Sequence, residues 1–515
     1  MSSRRIIVNT AATYIRGIVS AGLSLFSARW VLAGLGATDY GLFAVVGSII
    51  VFISFLNGVM SVSAARHFAF AIGRGDSEEV NKWFNTSLSI HLILPLVLIA
   101  IGWPVGEYCV KNILTVPIDR ITTCLWVFRL SLIVALCGMV SIPYFAMFSA
   151  KQHIAELAFW GMMQSVVQCI FAFILTNVSG DRLLFFAEYG VTISISFQIM
   201  QILRARRIFN ECQIKLWYWF DKERFTEILS FASWSLFGSL GTIIRDQSSV
   251  FLLNLHFGPR VNAAFGIASQ VSAQTGQLGQ AMIGAFAPEI TSSEGRGDRV
   301  RMLLLAQRAS KFGTILVLLF AIPIMVELDY ILKLWLIEPP PLTAKFCQLI
   351  LITFILDRLS IGYMMAVNAS GKMAGYQVTL GSCLAMTLPL AWLLIKLGAT
   401  PTCVSVASIV TMAVVSVGRV FWVRRLLGVP VREWMRDVVY PSSVVGLVAI
   451  CAVLIPYWAL PASLLRLAIA FVLGMAATLC AAWGFALDNN ERSFIKQVAG
   501  RVLRKISLET RSKNA

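Results

Sequence analysis

Fourteen long apolar stretches constrain this chain more than any other feature of its sequence. A bilayer core about 30 Å thick needs roughly 20 apolar residues in one helix, and the 515 residues supply such stretches almost throughout. They lie near residues 8–34, 40–62, 84–106, 122–148, 154–176, 183–203, 228–255, 262–286, 311–335, 344–367, 374–396, 402–422, 438–459 and 464–487. Because the stretches are continuous rather than alternating, they predict membrane-spanning helices and not strands.

The composition agrees with this interpretation. Hydrophobic residues make up 58% of the chain and charged residues 13%, whereas soluble proteins carry about 25% charged residues. A water-soluble protein of this composition could not cover its surface. We therefore expect an all-α polytopic membrane protein with about fourteen transmembrane helices. The first apolar stretch continues to Leu35, which is too long for a secretory signal and predicts an uncleaved first span.

The distribution of the basic residues behind the net charge of +17 predicts the orientation of the chain. If the N-terminus is cytoplasmic, most of the 43 Lys and Arg residues fall in cytoplasmic segments, as the positive-inside rule requires. Both termini are then cytoplasmic. The basic clusters lack interleaved aromatic residues or a folded module, so nucleic acid is not expected as a partner. Anionic membrane lipids are the expected partners of these clusters.

An internal repeat predicts the arrangement of the spans. The tetrapeptide Gly-Arg-Gly-Asp occurs at 73–76 and again at 295–298, and Gly36 matches Gly258 at the same offset. Each glycine begins a short outside turn, and each tetrapeptide lies in a cytoplasmic loop. Six spans per repeat give both halves the same orientation. The predicted domains are an N-terminal six-helix lobe at 1–210, a second six-helix lobe at 211–436, and two further helices with a basic tail at 437–515.

Several ionisable residues lie within the predicted spans, where each costs about 2.5–3.5 kcal/mol and is a functional candidate. They are Arg16, Arg129, Arg245, Asp246, Asp357 and Arg358. Adjacent residues point in different directions on a helix, so the two Arg–Asp pairs are expected to form bridges to other helices or to line a water-filled cavity. Both alternatives stay open. Arg29 and Arg419 lie near span ends, and we interpret them as interfacial anchors.

The eighth span carries four amides on one helical face. They are Gln270, Gln274, Gln277 and Gln280. Such a row indicates either hydrogen bonding between helices or a face toward an aqueous cavity. We favour the cavity, since amides suit the hydroxyl groups of sugars, which both donate and accept hydrogen bonds.

Signals for other chemistry are weak. Gly371-Lys372 lacks the upstream glycine of a phosphate-binding loop, because Ala366 stands there. The four histidines are scattered and the ten cysteines form no Cys-x-x-Cys. We therefore predict no metal, no cofactor and no enzymatic activity.

Several segments resemble the polysaccharide flippases of the multidrug/oligosaccharidyl-lipid/polysaccharide exporter superfamily. They are Leu35-Gly36-Ala37-Thr38-Asp39-Tyr40-Gly41, Arg245-Asp246-Gln247, Leu253-Asn254-Leu255-His256-Phe257-Gly258-Pro259, Val261-Asn262-Ala263-Ala264, Ile267-Ala268-Ser269-Gln270-Val271 and Ala369-Ser370. The resemblance covers spans one to twelve in order. Within the superfamily, the chain looks like the flippases of oligosaccharide repeat units.

The resemblance implies two six-helix lobes around a central cavity that opens alternately to each side of a bacterial inner membrane. The implied cargo is an undecaprenyl-pyrophosphate-linked oligosaccharide for O-antigen, capsule or exopolysaccharide synthesis, with glycan polymerase machinery as a further partner. Family members carry cationic residues in the cavity. That role falls here to Arg16 and Arg245, and less directly to Arg129 and Arg358. Asp246 or Asp357 is the candidate for coupling transport to a proton or sodium gradient.

The sequence leaves three alternatives to a polysaccharide flippase. A multidrug antiporter of the same superfamily would export cationic compounds, which arginines in the cavity disfavour. A membrane glycan polymerase or ligase generally needs a large outside loop, but the longest outside loop predicted here covers only about 107–121. The third alternative is a scaffold that has lost transport.

Overall fold

The described residues of the computed structural model form helices and no strand. They are residues 3–73, 75–151, 153–336, 338–370, 374–428, 430–489 and 491–493. The α-helices are α1 (Ser3–Gly73), α2 (Ser77–Tyr108), α3 (Ile121–Ala150), α4 (Ile154–Leu175), α5 (Arg182–Ile208), α6 (Lys222–Phe257), α7 (Pro259–Gly295), α8 (Arg299–Leu336), α9 (Thr343–Arg358), α10 (Ile361–Ala369), α11 (Ala374–Ala385), α12 (Thr387–Lys396), α13 (Cys403–Leu427), α14 (Val431–Trp434), α15 (Tyr440–Ala459) and α16 (Leu464–Ala481). The predicted all-helical membrane fold is confirmed.

The predicted number of spans is not confirmed. Within the described residues, ten helical segments are long and apolar enough to cross a membrane, or eleven if α9 and α10, bent by 43°, form one span. One reason is that α1 carries the first two predicted spans in a single element. Only Gly36 inside α1 leaves the helical conformation, at φ 75° and ψ 168°.

The chain divides into two compact units. Unit 1 comprises Met1–Val271, Trp335–Cys347 and Gln377–Thr411, and unit 2 comprises Ser272–Leu334, Gln348–Tyr376 and Met412–Ala515. The three domains predicted from the sequence stay a prediction. The basic tail after residue 493 lies outside the described residues.

Aromatic side chains fill the centre of unit 1. Phe84 and Phe148 are fully buried there. Phe84 meets Tyr144 edge-on with ring centroids 5.1 Å apart, and Phe148 meets Phe209 in the same way at 5.1 Å. Because lipid tails are as apolar as these side chains, such close packing, rather than water exclusion, holds membrane helices together.

Small residues and a buried ion pair join the last two helices to α8 in unit 2. A Cβ on Gly474 of α16 would lie 2.6 Å from Val453 of α15 and 2.8 Å from Pro323 of α8, so only glycine allows this approach. Arg466 Nη2 donates to Glu327 Oε2 at 2.7 Å, and both side chains are buried. Neither residue was among the ionisable residues predicted to lie within spans. It fastens α16 to α8.

The predicted repeat is visible in the backbone of its glycines. Gly36 and Gly258 have nearly the same conformation, with φ 75° and ψ 168° against φ 82° and ψ 178°. This region is open essentially to glycine alone. The two glycines that match in the sequence repeat therefore also match in backbone conformation.

The two copies of the tetrapeptide agree in the same way. Gly75 and Gly297 have φ values of 75° and 76°. Asp76 and Asp298 each accept a hydrogen bond at 3.0 Å on Oδ1 from the backbone N–H three residues later. Each aspartate thus caps the start of the next helix. The shared geometry accounts for the second glycine and the aspartate of the tetrapeptide.

The turns at Gly36 and Gly258 lie against each other within unit 1. A Cβ on Gly41 would lie 1.8 Å from the carbonyl oxygen of Pro259, which leaves no room for a side chain. Asn262 Nδ2 donates to the carbonyl of Gly41 at 3.4 Å. The beginnings of α7 and of the second half of α1 are therefore in backbone contact.

We expect Gly41→Ala to destabilise the protein by about 1–3 kcal/mol or more, because the new methyl group would overlap a backbone atom. Thermal unfolding in detergent measures the effect as a fall in Tm. Gly47→Ala in the same helix is the control, since nothing lies within 4 Å of its Cβ position. Equal Tm values for the two variants would contradict the close contact.

Candidate transport site

A cavity of about 610 Å³ lies inside unit 1 among α1, α3, α4, α5 and the start of α7. We call it the serine-lined cavity. Its polar lining consists of Ser20, Ser24, Ser27, Tyr40, Ser131, Ser165, Gln168, Ser194 and Gln270. None of its lining residues within the described part of the chain is charged. Hydroxyl and amide groups both donate and accept hydrogen bonds, and the rest of the wall is mostly apolar, so the cavity suits an uncharged ligand that has both hydroxyl groups and apolar surface.

Sequence reasoning missed the serines, although the signal was present. Ser20, Ser24 and Ser27 recur four and three residues apart and therefore share one face of α1. Ser20 Oγ lies 3.1 Å from Ser165 Oγ of α4. Phe171 on the apolar part of the wall stacks on Tyr189 with ring centroids 4.1 Å apart. The cavity thus combines hydroxyl groups with a fixed aromatic surface.

Gln270 lines the cavity and also joins α7 to α1. Its Nε2 donates to the carbonyl and the hydroxyl of Ser24 at 3.0 and 2.8 Å, and Tyr40 donates to its Oε1 at 3.4 Å. Both interpretations of the amide row, interhelical bonding and cavity lining, therefore apply to Gln270. The Oε1 of Gln274 is buried and accepts no hydrogen bond from the described residues. The side chains of Gln277 and Gln280 lie outside the described part of the structure.

Arg16 lies one helical turn before Ser20 on α1, and its side chain is exposed. A Cβ on Gly161 of α4 would lie 2.6 Å from Arg16 Nε, so the guanidinium rests against the bare backbone of that glycine. Gly161 is itself one turn before Ser165, which lines the cavity. Arg16 therefore lies one turn from the serine-lined cavity, and no carboxylate of the described residues pairs with it.

Arg129 is held differently. Its Nε and Nη2 donate to Glu107 Oε1 at 2.8 and 2.5 Å, and its guanidinium lies over the rings of Trp103 and Trp126, at 5.5 and 5.2 Å from their centroids. Lys111 also pairs with Glu107 at 3.1 Å. The charge of Arg129 is thus compensated by a fixed partner.

Arg245 and Asp246 pair with each other, contrary to our expectation for adjacent residues. Arg245 Nε donates to Asp246 Oδ1 at 2.8 Å. The long arginine side chain can fold back along α6 and reach its neighbour, which the directions of the Cβ atoms alone do not reveal. Arg245 is largely buried, whereas the Asp246 side chain is 50% exposed. The pair therefore presents a carboxylate to its surroundings.

Asp357 and Arg358 lie in unit 2 at the bend between α9 and α10. Arg419 Nη1 of α13 donates to Asp357 Oδ1 at 2.8 Å and to Ser360 Oγ at 3.2 Å, while Arg358 Nε lies 3.7 Å from Asp357 Oδ2. This cluster is the bridge between helices that the sequence led us to consider. The interpretation of Arg419 as an interfacial anchor is wrong, because Arg419 is only 7% exposed.

A second cavity, of about 530 Å³, lies at the Gly36 turn of unit 1. Arg120 Nη2 lies 2.9 Å from Asp39 Oδ2, and its Nη1 lies 3.2 Å from Asp181 Oδ1. Thr123 Oγ1 donates to Asp181 Oδ2 at 2.6 Å. Burial raises the pKa of Asp181, but the hydrogen bond from Thr123 and the guanidinium of Arg120 outweigh it, so the pKa lies below its ordinary value.

Removing Asp357 should cost about 3–5 kcal/mol, since Arg358 and Arg419 would stay buried without its carboxylate. Removing Arg419 should cost less, since Arg358 remains beside Asp357. We expect Asp357→Asn and Arg419→Gln each to lower the free energy of unfolding, and the double variant to lose less than the sum. Denaturant unfolding in detergent supplies the double-mutant cycle. Strictly additive losses would show that the two side chains do not interact.

The Asp181 carboxylate should make the stability depend on pH. Because its pKa is lowered in the folded state, its contribution is fully present above the unfolded pKa of about 3.9 and is lost as the pH falls through the lower folded pKa. Asp181→Asn should therefore lower Tm at pH 7, and the difference from wild type should shrink toward pH 3. Asp119→Asn, next to Arg120 in the chain, is the control and should leave Tm unchanged, since Asp119 has no ion pair among the described residues. A Tm difference for Asp181→Asn that does not change with pH would contradict this account.

Comparison with known proteins gives relatives of low sequence identity. No protein-family model matches the chain. The "Uncharacterized membrane protein EpsK" of Bacillus subtilis (strain 168) is 20% identical over 326 residues, and the match covers 61% of each chain. The chain thus spans 61% of the length of that curated relative.

Solved structures match over more of the chain. "Lipid II flippase MurJ, inward closed conformation" has a TM-score of 0.67 at 14% identity and covers 92% of this chain and 98% of its own. An inward-facing multidrug resistance MATE family transporter of the MOP superfamily has a TM-score of 0.66 at 15% identity and covers 81% and 97%. These structures are flippases and transporters, not enzymes. The chain is therefore a multi-pass membrane protein with the fold of the MOP-superfamily flippases and transporters.

Proposed function

We propose that the protein flips undecaprenyl-pyrophosphate-linked oligosaccharide repeat units from the cytoplasmic to the periplasmic leaflet of a bacterial inner membrane, by alternating access. The observation that carries this proposal is the serine-lined cavity with Arg16 one helical turn away. The product would supply the synthesis of a surface polysaccharide such as O-antigen, capsule or exopolysaccharide.

The two parts of such a cargo need different chemistry. Sugars cannot cross hydrocarbon unaided, because their hydroxyl groups would lose hydration without compensation. The hydroxyls and amides of the serine-lined cavity can replace that hydration without charge. A pyrophosphate needs cations, and Arg16 offers a guanidinium that no described carboxylate neutralises. The lipid tail can remain in the bilayer.

The other candidates take lesser roles in this proposal. Arg245 contributes positive charge next to the exposed carboxylate of Asp246, while Arg129 positions α3 through Glu107. Asp246 is the better candidate for coupling to a proton or sodium gradient, because Asp357 is tied to Arg419. The predicted lobes at spans 1–6 and 7–12 would rock to expose the cargo site alternately.

The relatives support a flippase without naming this cargo. MurJ is described as a lipid II flippase and the MATE protein as a multidrug resistance transporter. A multidrug antiporter for cations is disfavoured here, because the described lining of the cavity carries no acidic group and the nearest ionised side chain along that face of α1 is an arginine. A glycan polymerase or ligase is disfavoured by the transporter fold. Glycan polymerase machinery remains a proposed partner.

Arg16→Gln should reduce flipping about tenfold or more, because a hydrogen bond between charged groups contributes about 1.5–3 kcal/mol. Surface glycan and the inner-leaflet pool of lipid-linked intermediate would be measured in a deletion strain that expresses the variant. The intermediate should accumulate while the protein level stays normal. Arg29→Gln is the control on the same helix, since Arg29 does not line the cavity.

Normal glycan display by Arg16→Gln at a normal protein level would remove Arg16 from the mechanism. The same result for Arg245→Ala would remove Arg245. If the deletion strain has a normal amount of lipid-linked intermediate but altered drug resistance, the multidrug antiporter is favoured instead. If the rate of transport in vesicles is the same with and without a proton or sodium gradient, Asp246 has no coupling role.

A further inference from the structure

The segment between α5 and α6 has an irregular backbone beside a membrane-spanning helix. We call residues 209–221 the α5–α6 linker. It contains only two short 3₁₀ turns, Asn210–Cys212 and Leu216–Tyr218. Irregular backbone at membrane depth is tolerated only where other protein groups satisfy its N–H and C=O groups. The hydrogen bonds of the linker therefore indicate where it can lie.

Polar side chains of α2 supply those bonds. The four that do so are at most 5% exposed, although α2 is a candidate membrane span. Asn81 Nδ2 donates to the carbonyls of Glu211 and Gln213 at 2.8 Å each, and Asn85 Nδ2 donates to the carbonyl of Gln213 at 3.0 Å. Further along α2, Thr86 Oγ1 donates to the carbonyl of Tyr218 at 3.1 Å. Ser89 Oγ donates to the carbonyl of Trp219 at 2.6 Å. In return, the N–H of Lys215 donates to Asn85 Oδ1 at 2.8 Å.

The order of these bonds shows the path of the linker. Bonding advances from Asn81 to Ser89 on α2 as the linker advances from Glu211 to Trp219. Eight residues of helix correspond to about 12 Å. The last charged residue before the long apolar run of α2 is Lys82. The linker therefore runs alongside α2 from its charged end into the first turns of its apolar part.

The opposite side of the linker exposes large apolar side chains. Trp217 is 83% exposed, Phe220 76% and Leu216 66%. Three such side chains within five residues would be an aggregation-prone patch in water. Trp is enriched where membrane-spanning segments meet the headgroup layer, because its ring is amphipathic. Phe and Leu are typical of the apolar face of segments that lie in this layer.

Basic residues flank this apolar patch. Arg206, Arg207, Lys215 and Lys222 form no ion pair with a carboxylate in the part of the chain that the structure describes. Both carboxylates of the linker are already engaged, Glu211 with Lys151 at 2.6 Å and Asp221 with Arg224. The surroundings of the linker therefore carry uncompensated positive charge, which anionic headgroups would neutralise.

We propose that the α5–α6 linker is an interfacial membrane anchor for anionic phospholipid. Leu216, Trp217 and Phe220 insert at the boundary between headgroups and acyl chains of the leaflet in which α5 ends. The flanking basic side chains bind the anionic headgroups, and the polar side chains of α2 satisfy the backbone from the protein side. This inference does not depend on the cargo. It gives α6 a fixed starting point next to α2.

The test uses p-benzoylphenylalanine, a photo-crosslinking amino acid, in place of Trp217 or Phe220 in the full-length protein. The variants are reconstituted in vesicles of phosphatidylcholine and phosphatidylglycerol at 4:1 and irradiated, and adducts are identified by mass spectrometry. We expect lipid adducts at both positions. Tyr218 is the control, because its hydroxyl donates to Glu78 Oε1 at 3.0 Å and its side chain faces α2, so crosslinks there should join protein to protein.

Absence of lipid adducts at positions 217 and 220, in variants whose Tm equals that of the wild type, would overturn the anchor. Crosslinks to a second protein at these positions in native membranes would overturn it as well, in favour of a protein-docking surface. Phosphatidylglycerol should exceed its share among the adducts about fivefold. Combining Arg206→Gln, Arg207→Gln, Lys215→Gln and Lys222→Gln should remove that enrichment. Adducts that simply follow the lipid composition would refute the selectivity for anionic lipid.

Discussion

The absence of water in the hydrocarbon core is the constraint on which the rest of this structure depends. Each backbone N–H and C=O group at that depth must find a partner within the protein. A helix satisfies this requirement within its own segment, whereas irregular backbone needs hydrogen-bond partners from another part of the protein. At the α5–α6 linker, α2 provides the missing hydrogen bonds from Asn81, Asn85 and their neighbours.

The same constraint governs the charged groups. Glu327 is paired with Arg466, Asp357 with Arg419, and Arg129 with Glu107. These pairs hold helices together, since separating them would leave a charge without a partner in a medium that cannot solvate it. Arg16 differs, because its guanidinium is exposed and meets no described carboxylate. This difference, rather than depth in the membrane, separates a candidate for cargo binding from a structural bridge.

The candidate site was only partly predictable. Arg16 was identified from the cost of an ionisable group within a span, and Gln270 from the row of amides on one helical face. Gln270 lines the serine-lined cavity and Arg16 lies one turn from it. The serines were overlooked because a single serine in a span is common, although Ser20, Ser24 and Ser27 share a face. Arg419 was misinterpreted because position along a span does not reveal which side chains another helix brings close. Asp357 on α9 compensates its charge, although 62 residues separate them.

The sequence by itself determined the class of the protein, because the length and hydrophobicity of its apolar stretches leave a helical membrane protein as the only way to satisfy the backbone in lipid. It also predicted that Gly36 and Gly258 occupy matching turns, and both adopt a conformation that only glycine readily adopts. The tertiary structure alone decided which charges are paired and where the cavity lies. The reason is physical: pairing energy and cavity shape depend on distances between helices that are far apart in the chain, and hydropathy and periodicity contain no information about those distances.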